Sequence, residues 1–520
     1  MSMQAPDIEG HPHLDSAQLG HVRHVVRLAN QLPGDWSYMG HYEPDEEGDD
    51  AFRYQLAMMA YALGAAQAHH TPAYRELYRD TTEKLIEKML RFDVWGYWEN
   101  TSRGSKILDP GLEALGEGWL DPVVRQNIMY SGHLLKMVGL YEMLYRTGRY
   151  DRPGSLTFEF RPVFRGMGPE RFEYDHGRLL ETILQEFQRN DYLGCECEPN
   201  TVFVLCNQVP LLGFKHYDHT HGTQFAPDTM KRFEEAWRNR STLFDTDASA
   251  EELPMYWMVR QQLVTTGGVS GIKWCTLMHP WHRDYARHIY PQMRDAVLRR
   301  LPDGTLGVDD SQYFEKRGKA NSDVVDFVTD PMMLGVHTFG FTALAASEMG
   351  DRETLDGMMA YAERYLAPTW EDGCLYYPRN DEGGSEHYLT CLSGNALIAW
   401  ARLNVPDGIW TLYNRPWTQQ VLDEPQLVEI DHPRVPVQQA FYDRAAKRLA
   451  IGLLPGGSRV APASFAISGL DPRGTYEVTV NGRPIDAETG RLEWRGDRLH
   501  LATELRASTA ILVTDTSDHE

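Results

Sequence analysis

The sequence predicts a mainly α-helical protein: an (α/α)6 barrel, a six-hairpin toroid of paired helices, followed by a small C-terminal all-β module with the alternation of a sandwich. Three observations predict it. Apolar residues recur every three or four positions from residue 17 to about 404, and Gly, Pro and Asp punctuate the segments. About a dozen such segments follow one another, the number that six hairpins need. After about residue 410 the period drops to two. A long helical array without a strict repeat is the competing layout.

The spacing predicts helices near 17–31, 51–69, 72–91, 122–147, 170–189, 199–217, 228–240, 266–280, 282–300, 331–349, 352–366 and 384–403. Thr71 and Pro72 read as a cap and a first helical position. A restart follows Gly350 and Asp351. "NIMYSGHLLKMVGLYEMLY" (127–145) is apolar on most sides and belongs in an interior. Beyond 410, "RLAIGLLPG", "TYEVTVNGRPID", "RLEWRGDRLHLA" and "TAILVTD" alternate as strands do, with Asn481-Gly482 as a hairpin turn. The expected division is a tail at 1–16, a helical catalytic domain at 17–410 and a β-rich module at 411–520, with the break inside the proline-rich and acidic stretch 404–438.

Composition narrows the function. In 520 residues, 42% hydrophobic and 11% aromatic, a large core is available. A net charge of −23 and the absence of a basic run argue against a nucleic-acid partner. The N-terminus lacks the basic start and apolar stretch of a signal peptide, and no segment approaches the roughly 18 apolar residues of a membrane span. The expectation is a cytoplasmic protein with reduced thiols, which disfavours a disulfide reading of its six cysteines.

"GCECEPNTVFVLCNQ" (194–208) holds Cys195, Cys197 and Cys206 around Glu198. Pro199 suits a first helical turn, so a helix starting just after Cys197 would favour its thiolate. Pro210 should bend or end that helix near Gln208. Buried small hydrophobes are the plain alternative for free cysteines. The spacing is a poor match to a zinc site. His133 lies one turn from Met129 and Met137, beside Ser131 and Gly132, and is suited either to a hydrogen-bonded core or to proton transfer. Tyr54, Met58 and Tyr61 share one helical face, a core stripe or a pocket wall with phenol donors. Asp49 and Asp50 stand at that helix's start, where its dipole alone would explain them. Trp95 and Trp98 form a core plug or a pocket edge. His216, His219, His221, His279 and His282 read as loop-borne surface histidines. No nucleotide, flavin or zinc-protease motif occurs.

Taken together, "VWGYWEN" (94–100), "NIMYSGHL" (127–134), "GLYEMLYRTGRYD" (139–151), "CEPNTVFVLCN" (197–207), "YDHTHGT" (217–223) and "FTALAASEMGD" (341–351) resemble the linalool dehydratase/isomerase family in order and rough spacing. The resemblance implies an (α/α)6 barrel, often in a ring-shaped homo-oligomer with the site shared between protomers. It also implies dehydration of a tertiary allylic alcohol to a diene, and isomerisation to the primary alcohol, without cofactor or metal. By motif, Cys197 and Cys206 match the family's active-site cysteines, His133 its histidine, Met129 its pocket methionine and Tyr54 a pocket tyrosine. The family's further aspartate falls in "HYEPDEEGDD", where Glu43, Asp45, Asp49 and Asp50 compete for it; Tyr42 is the candidate second tyrosine. Glu198, Phe203, Met58, Tyr61 and Trp98 complete the expected pocket. The module after 410 has no counterpart in compact members.

In such chemistry the departing hydroxyl must be protonated and a neighbouring carbon must lose a proton. Tyr54, His133 or an upstream acid would serve the oxygen. Cys197 or Cys206 would take the carbon proton or trap the cation as a thioether. The rival reading is a carbohydrate-active enzyme with paired carboxylates, an analogy of fold alone.

Overall fold

The computed structural model describes residues 12–40, 51–266, 270–308, 336–378, 390–432, 434–456, 461–485 and 490–517. Asp49 and Asp50, with Tyr42, Glu43 and Asp45, lie outside them.

The helices are α1 (Ser16–Ala29), α2 (Phe52–His70), α3 (Glu76–Met89), the short α4 (Phe92–Trp95) and α5 (Trp98–Thr101), α6 (Ile128–Tyr145), α7 (His176–Arg189), α8 (Val204–His221), α9 (Phe225–Arg238), α10 (Ser270–Met278), α11 (Arg283–Val297), α12 (Val336–Met349), α13 (Arg352–Tyr365), α14 (Ile398–Leu403, entered through a π turn at Ser393–Leu397), α15 (Gly408–Asn414) and α16 (Gln419–Leu422). Their packing makes a circuit. α2 packs on α6, α6 on α8, α8 on α10, α10 on α12, α12 on α14, and α14 returns to α2. The helices α3, α7, α9, α11 and α13 flank this circuit. Helices apolar on most sides occupy the inner places: α6 is buried from Ile128 to Leu144, and α2 over most of its length.

Glycine decides how closely α6 and α8 approach. A methyl at Gly213 would lie 2.8 Å from Leu135 Cγ, one at Gly139 2.9 Å from His216 Cβ, and one at Gly132 3.0 Å from Pro210 Cδ. These contacts are too tight for side chains, so small residues set the spacing of the pair.

Several expected boundaries move for identifiable reasons. Thr71 does not cap a helix at Pro72; it closes α2. Ala73 gives its N–H to Ala440 O and accepts from Leu427 N, sheet-like bonds that tie both its main-chain groups outside any helix, and α3 begins only at Glu76. The stretch predicted as one helix at 170–189 begins as β2 (Glu170–Tyr174), paired with β1 (Leu156–Phe160). Thr201–Phe203 is β3, paired with β4 (Pro254–Met258), itself paired with β5 (Leu263–Thr266). α8 runs through Pro210 rather than ending there, because Gly132 leaves room for the ring. The restart at Asp351 is as expected: its side chain accepts from Thr354 N at the head of α13. Two-stranded ribbons β6–β7 (Leu298–Arg300, Leu306–Val308) and β8–β9 (Thr369–Glu371, Cys374–Tyr376) complete the helical region.

The C-terminal part is a sandwich-like pair of antiparallel sheets. One runs β10-β13-β17-β16 (Gln426–Val428, Ala461–Ser468, Arg498–Leu505, Arg491–Arg495). The other runs β11-β12-β18-β14-β15 (Val437–Asp443, Arg448–Leu453, Thr509–Asp515, Tyr476–Val480, Arg483–Pro484). Asn481 and Gly482 turn between β14 and β15 with both φ angles positive, 51° and 74°, as a two-residue hairpin requires. Leu14 N donates to Gln438 O, and Ala73 bonds both β11 and the segment at Leu427, so these sheets are fastened to the helices through the main chain.

Candidate active site

A cavity of about 230 Å³ opens inside the helical circuit. Each inner helix lends a wall: Tyr54 and Met58 from α2, His133 from α6, Cys206 and Val209 from α8, Lys273, Trp274 and Leu277 from α10, Phe341 from α12, and Leu392 just ahead of α14. The segment before α8 adds Cys197, Glu198 and Phe203. The lining is mostly apolar; its polar groups gather on the α2, α6 and α8 side, except Lys273 on α10.

Local chemistry builds that side. Gly194 has φ +125°, and a side chain there would run into the Asn207 amide. Asn207 in turn clamps Cys195: its Oδ1 accepts from Cys195 N at 2.8 Å, and its Nδ2 donates to Cys195 O at 3.0 Å. The chain is thereby held against the first turns of α8. A tight turn follows, with Cys197 N donating to Thr201 O at 2.8 Å and Thr201 N to Glu198 O at 3.0 Å. The Cys197 and Cys206 sulfurs consequently lie 3.1 Å apart, both as free thiols. Glu196, one residue earlier, takes a bond from Gln126 Nε2, and its carbonyl accepts from Ile128 N, tying this loop to the head of α6.

On α6, the His133 ring meets Tyr54 edge-on, with centroids 5.6 Å apart. Its Nδ1 lies 3.0 Å from the Tyr61 hydroxyl. The same hydroxyl lies 3.3 Å from the His133 carbonyl oxygen; with its hydrogen on Nδ1, the neutral ring carries its N–H at Nε2. Arg53 is fully buried behind Tyr54. Its guanidinium stacks 4.4 Å from the Tyr54 ring centre and 4.2 Å from that of Tyr97, and donates toward Met129 Sδ at 3.7 Å. Lys136, one turn beyond His133, is also buried, with Nζ 3.7 Å from the Tyr61 ring centre.

Burial disfavours charge on the groups that line the cavity. It pushes the Cys197 thiol well above its ordinary range, reinforced by the contact with Cys206. It raises the Glu198 carboxyl, against the pull of Arg53, and raises the Tyr54 phenol. Burial, with Lys136 and Arg53 nearby, lowers His133 to about 3. The expected Cys197 thiolate is thus corrected: α8 begins at Val204, seven residues on, so no helix starts at Cys197, and desolvation opposes its charge. Cys206 is the cysteine in that helix's first turn.

Of the expected pocket residues, Cys197, Cys206, His133, Tyr54, Met58, Glu198 and Phe203 come together around the cavity. Tyr61 stands behind His133, and Met129 behind Arg53. Trp98 is not brought to the lining; it is fully buried and packs edge-on against Trp119, 5.6 Å between centroids. The histidine expectation also needs correction. His216 and His279 are fully buried, because α8 and α10 carry or adjoin them as core elements. His279 Nδ1 is 2.8 Å from Glu348 Oε1. Sequence reasoning missed Arg53, Lys136 and Lys273. For the first two a signal existed: each is a lone cation within a helix that is otherwise apolar.

The comparisons fix the class. A family profile described as linalool dehydratase/isomerase matches residues 53–383, well over half of the chain. The chain belongs to the linalool dehydratase/isomerase family, an enzyme family. Among solved structures it is similar to a novel alpha-amylase from Clostridium perfringens, at 13% identity over 68% of this chain and 86% of that one, with a TM-score of 0.34. It is also similar to Ara127N-Se, a GH127 β-L-arabinofuranosidase from Geobacillus stearothermophilus T6, at 14% identity over 99% and 77%, with a TM-score of 0.22. Likenesses of that size carry no argument about activity.

Proposed function

We propose that this chain dehydrates, and isomerises, a small apolar allylic or tertiary alcohol of terpenoid type, using its own side chains. The observation that carries the reading is the cavity itself. Tyr54, His133, Cys197, Glu198 and Cys206 converge on a space whose remaining wall, Lys273 apart, is apolar: Met58, Phe203, Leu205, Val209, Met255, Trp274, Leu277, Phe341 and Leu392. At about 230 Å³ it is smaller than the roughly 300–1,000 Å³ of pockets for drug-sized ligands, which suits a small hydrocarbon-rich alcohol. The closed circuit of inner helices supports reading the helical region as an (α/α)6 barrel with the site on its axis.

Neutral donors suit the leaving group. The hydroxyl binds between His133 Nε2–H, the Tyr54 phenol and Glu198, and one of these supplies the proton as the C–O bond breaks. The electron pair leaves with the oxygen as water. A thiol of the Cys197–Cys206 pair then hands its hydrogen to the donor that was spent, and its sulfur takes the proton of the adjacent carbon as the new double bond forms, so that both groups end as they began. Return of water at the far carbon of the allylic cation gives the isomer instead. Arg53 beside Glu198 and Tyr54 limits the build-up of negative charge. Residues Asp49 and Asp50, a homo-oligomeric assembly sharing the site, and a cytoplasmic setting belong to the same proposal. So does a supporting role in folding for the segment after 410. No helix among the described residues is long and apolar enough to cross a membrane.

A glycosidase would need two carboxyl groups flanking a bond. Among the described residues Glu198 is the one carboxyl that lines the cavity. The deciding experiment follows purified protein with a panel of apolar alkenols, linalool included, by gas chromatography, with aryl glycosides alongside. Diene or rearranged alcohol supports the proposal; turnover of glycosides with none of alkenols overturns it.

A further inference from the structure

We propose that Asp151, His176 and His221 form a binding site for one divalent transition-metal ion, of the zinc type, at the end of the helical region remote from the cavity. The three residues come from three elements: the turn after α6, the first position of α7 and the last of α8. One ligand atom from each lies within 4.8 Å of the others.

The hydrogen-bond inventory makes the case. The Thr220 hydroxyl has one hydrogen and main-chain acceptors for it, His216 O and Tyr217 O, both at 3.0 Å. With that hydrogen on a carbonyl, the hydroxyl accepts from His221 Nδ1, 2.8 Å away. Tyr217 O, 3.1 Å from the same nitrogen, can only accept. With the hydrogen on Nδ1, where Tyr217 O can take it, Nε2 of the neutral ring turns a lone pair toward Asp151 Oδ1 at 3.0 Å. Two acceptors at that distance need a cation between them. A second proton on His221 would serve that pair but not His176. The His176 ring is fully buried, and neither of its nitrogens has a hydrogen bond. Its Nδ1 lies 3.6 Å from the same Asp151 oxygen, too far for a good bond. One ion resolves all three side chains together.

The spacing agrees. Tetrahedral zinc with nitrogen and oxygen ligands near 2.05 Å separates them by roughly 3.3 Å, and the two separations from Asp151 Oδ1, 3.0 and 3.6 Å, bracket that value. A His-His-carboxylate set suits zinc or cobalt better than calcium or magnesium, and half-exposed Asp151 leaves a position for water. Tyr217 O on His221 Nδ1–H is the outer bond that such ligands usually have. The other histidine–carboxylate cluster among the described residues, His279, Glu348 and Asp407, offers no such opening. Glu348 already accepts from Asn404, Ile409 N and Trp410 N, and Arg283 and Arg287 occupy Asp407.

Such an ion would tie together the far ends of α6 and α8, whose near ends carry His133 and Cys206. The fifteen residues from Cys206 to His221 span roughly 22 Å, so the ion would act on stability and not on the reaction. The test titrates chelator-stripped full-length protein with Co²⁺ and Zn²⁺. One equivalent should bind with tetrahedral Co²⁺ absorption and raise the melting temperature. Asp151→Asn and His176→Gln should each weaken binding at least 100-fold. X-ray absorption of the zinc form of the unaltered chain should report two imidazoles and no sulfur, a readout that stands even where a variant folds poorly. No binding, binding indifferent to both substitutions, or sulfur in the first shell, which would place the ion on the cysteines, would each overturn the proposal.

Discussion

The His133 ring is aimed by a hydroxyl that itself never reaches the cavity. Tyr61→Phe removes that hydroxyl and keeps the ring that packs on Trp400, 5.4 Å between centroids. Turnover should fall about tenfold or more, as expected when a group positioning an acid or base is lost, with little change in melting temperature. An unchanged kcat would mean the bond is only structural. The thiols separate the same way. Removing one sulfur from a buried site should cost on the order of 1 kcal/mol, scaled down from larger truncations, whereas removing a proton-transfer group costs about 10²-fold in rate or more. Cys197→Ala, Cys206→Ala and His133→Ala should thus be nearly inactive and still folded. Parent-like turnover of a proven substrate by all three would remove them from the mechanism. Arg53 shows where reading residues in sequence stops: it was legible as an oddity in an apolar helix, but its place between two tyrosines depends on Tyr97, forty-four residues away.

At the scale of elements, the α6–α8 pair carries the site, and its spacing is set by Gly132, Gly139 and Gly213. Gly213→Ala forces a methyl to 2.8 Å from Leu135 Cγ. It should cost about 1–3 kcal/mol, the usual range for overpacking, read as a lower denaturation midpoint at unchanged slope. A variant as stable as its parent would show that the pair can spread freely. The helices themselves were legible in two ways: the flanking helices α7, α9 and α11 carry one buried and one exposed face and so a strong 3.6-residue period, whereas α2 and α6, buried on nearly all sides, show as long apolar runs. The strands in the helical region were not, because three to five residues such as Thr201–Phe203 show no period and are specified by partners such as Tyr256, far along the chain. Pro72 and Pro210 misled in opposite directions for one reason. A proline's local preference yields to what lies opposite it, a sheet-like docking at Ala73 in the first case and a glycine in the second.

The whole molecule buries histidines that must stay neutral. Burial lowers His24 and His133 to about 3 and His69 to about 4, from 6.5. In the unfolded chain they take up protons below about 6.5, while the folded chain refuses them until nearer 4. Their contribution to stability is therefore complete above about 6.5 and lost as the pH falls from there toward 4. The melting temperature should drop steeply from pH 6.5 to 4.5; a flat profile there would contradict the burial of these rings. For the β-rich segment, truncation near residue 410 should lower the yield of folded protein and leave specific activity in what remains. A well-folded but inactive truncation would give that segment a part in the chemistry.

The bonds at Ala73 carry a consequence for motion. Its N–H is held by Ala440 O, and its own carbonyl holds the Leu427 N–H, so one residue at the far end of α2 is stitched into the sheets. Neither amide can exchange with solvent deuterium unless helix and sheets part, so their exchange rates measure the free energy of that parting. α2 begins with Arg53 and Tyr54, at the cavity. A molecule bound against Tyr54 should slow deuterium uptake at Ala73 and Leu427, and the β-rich segment would register an occupied site that it never touches.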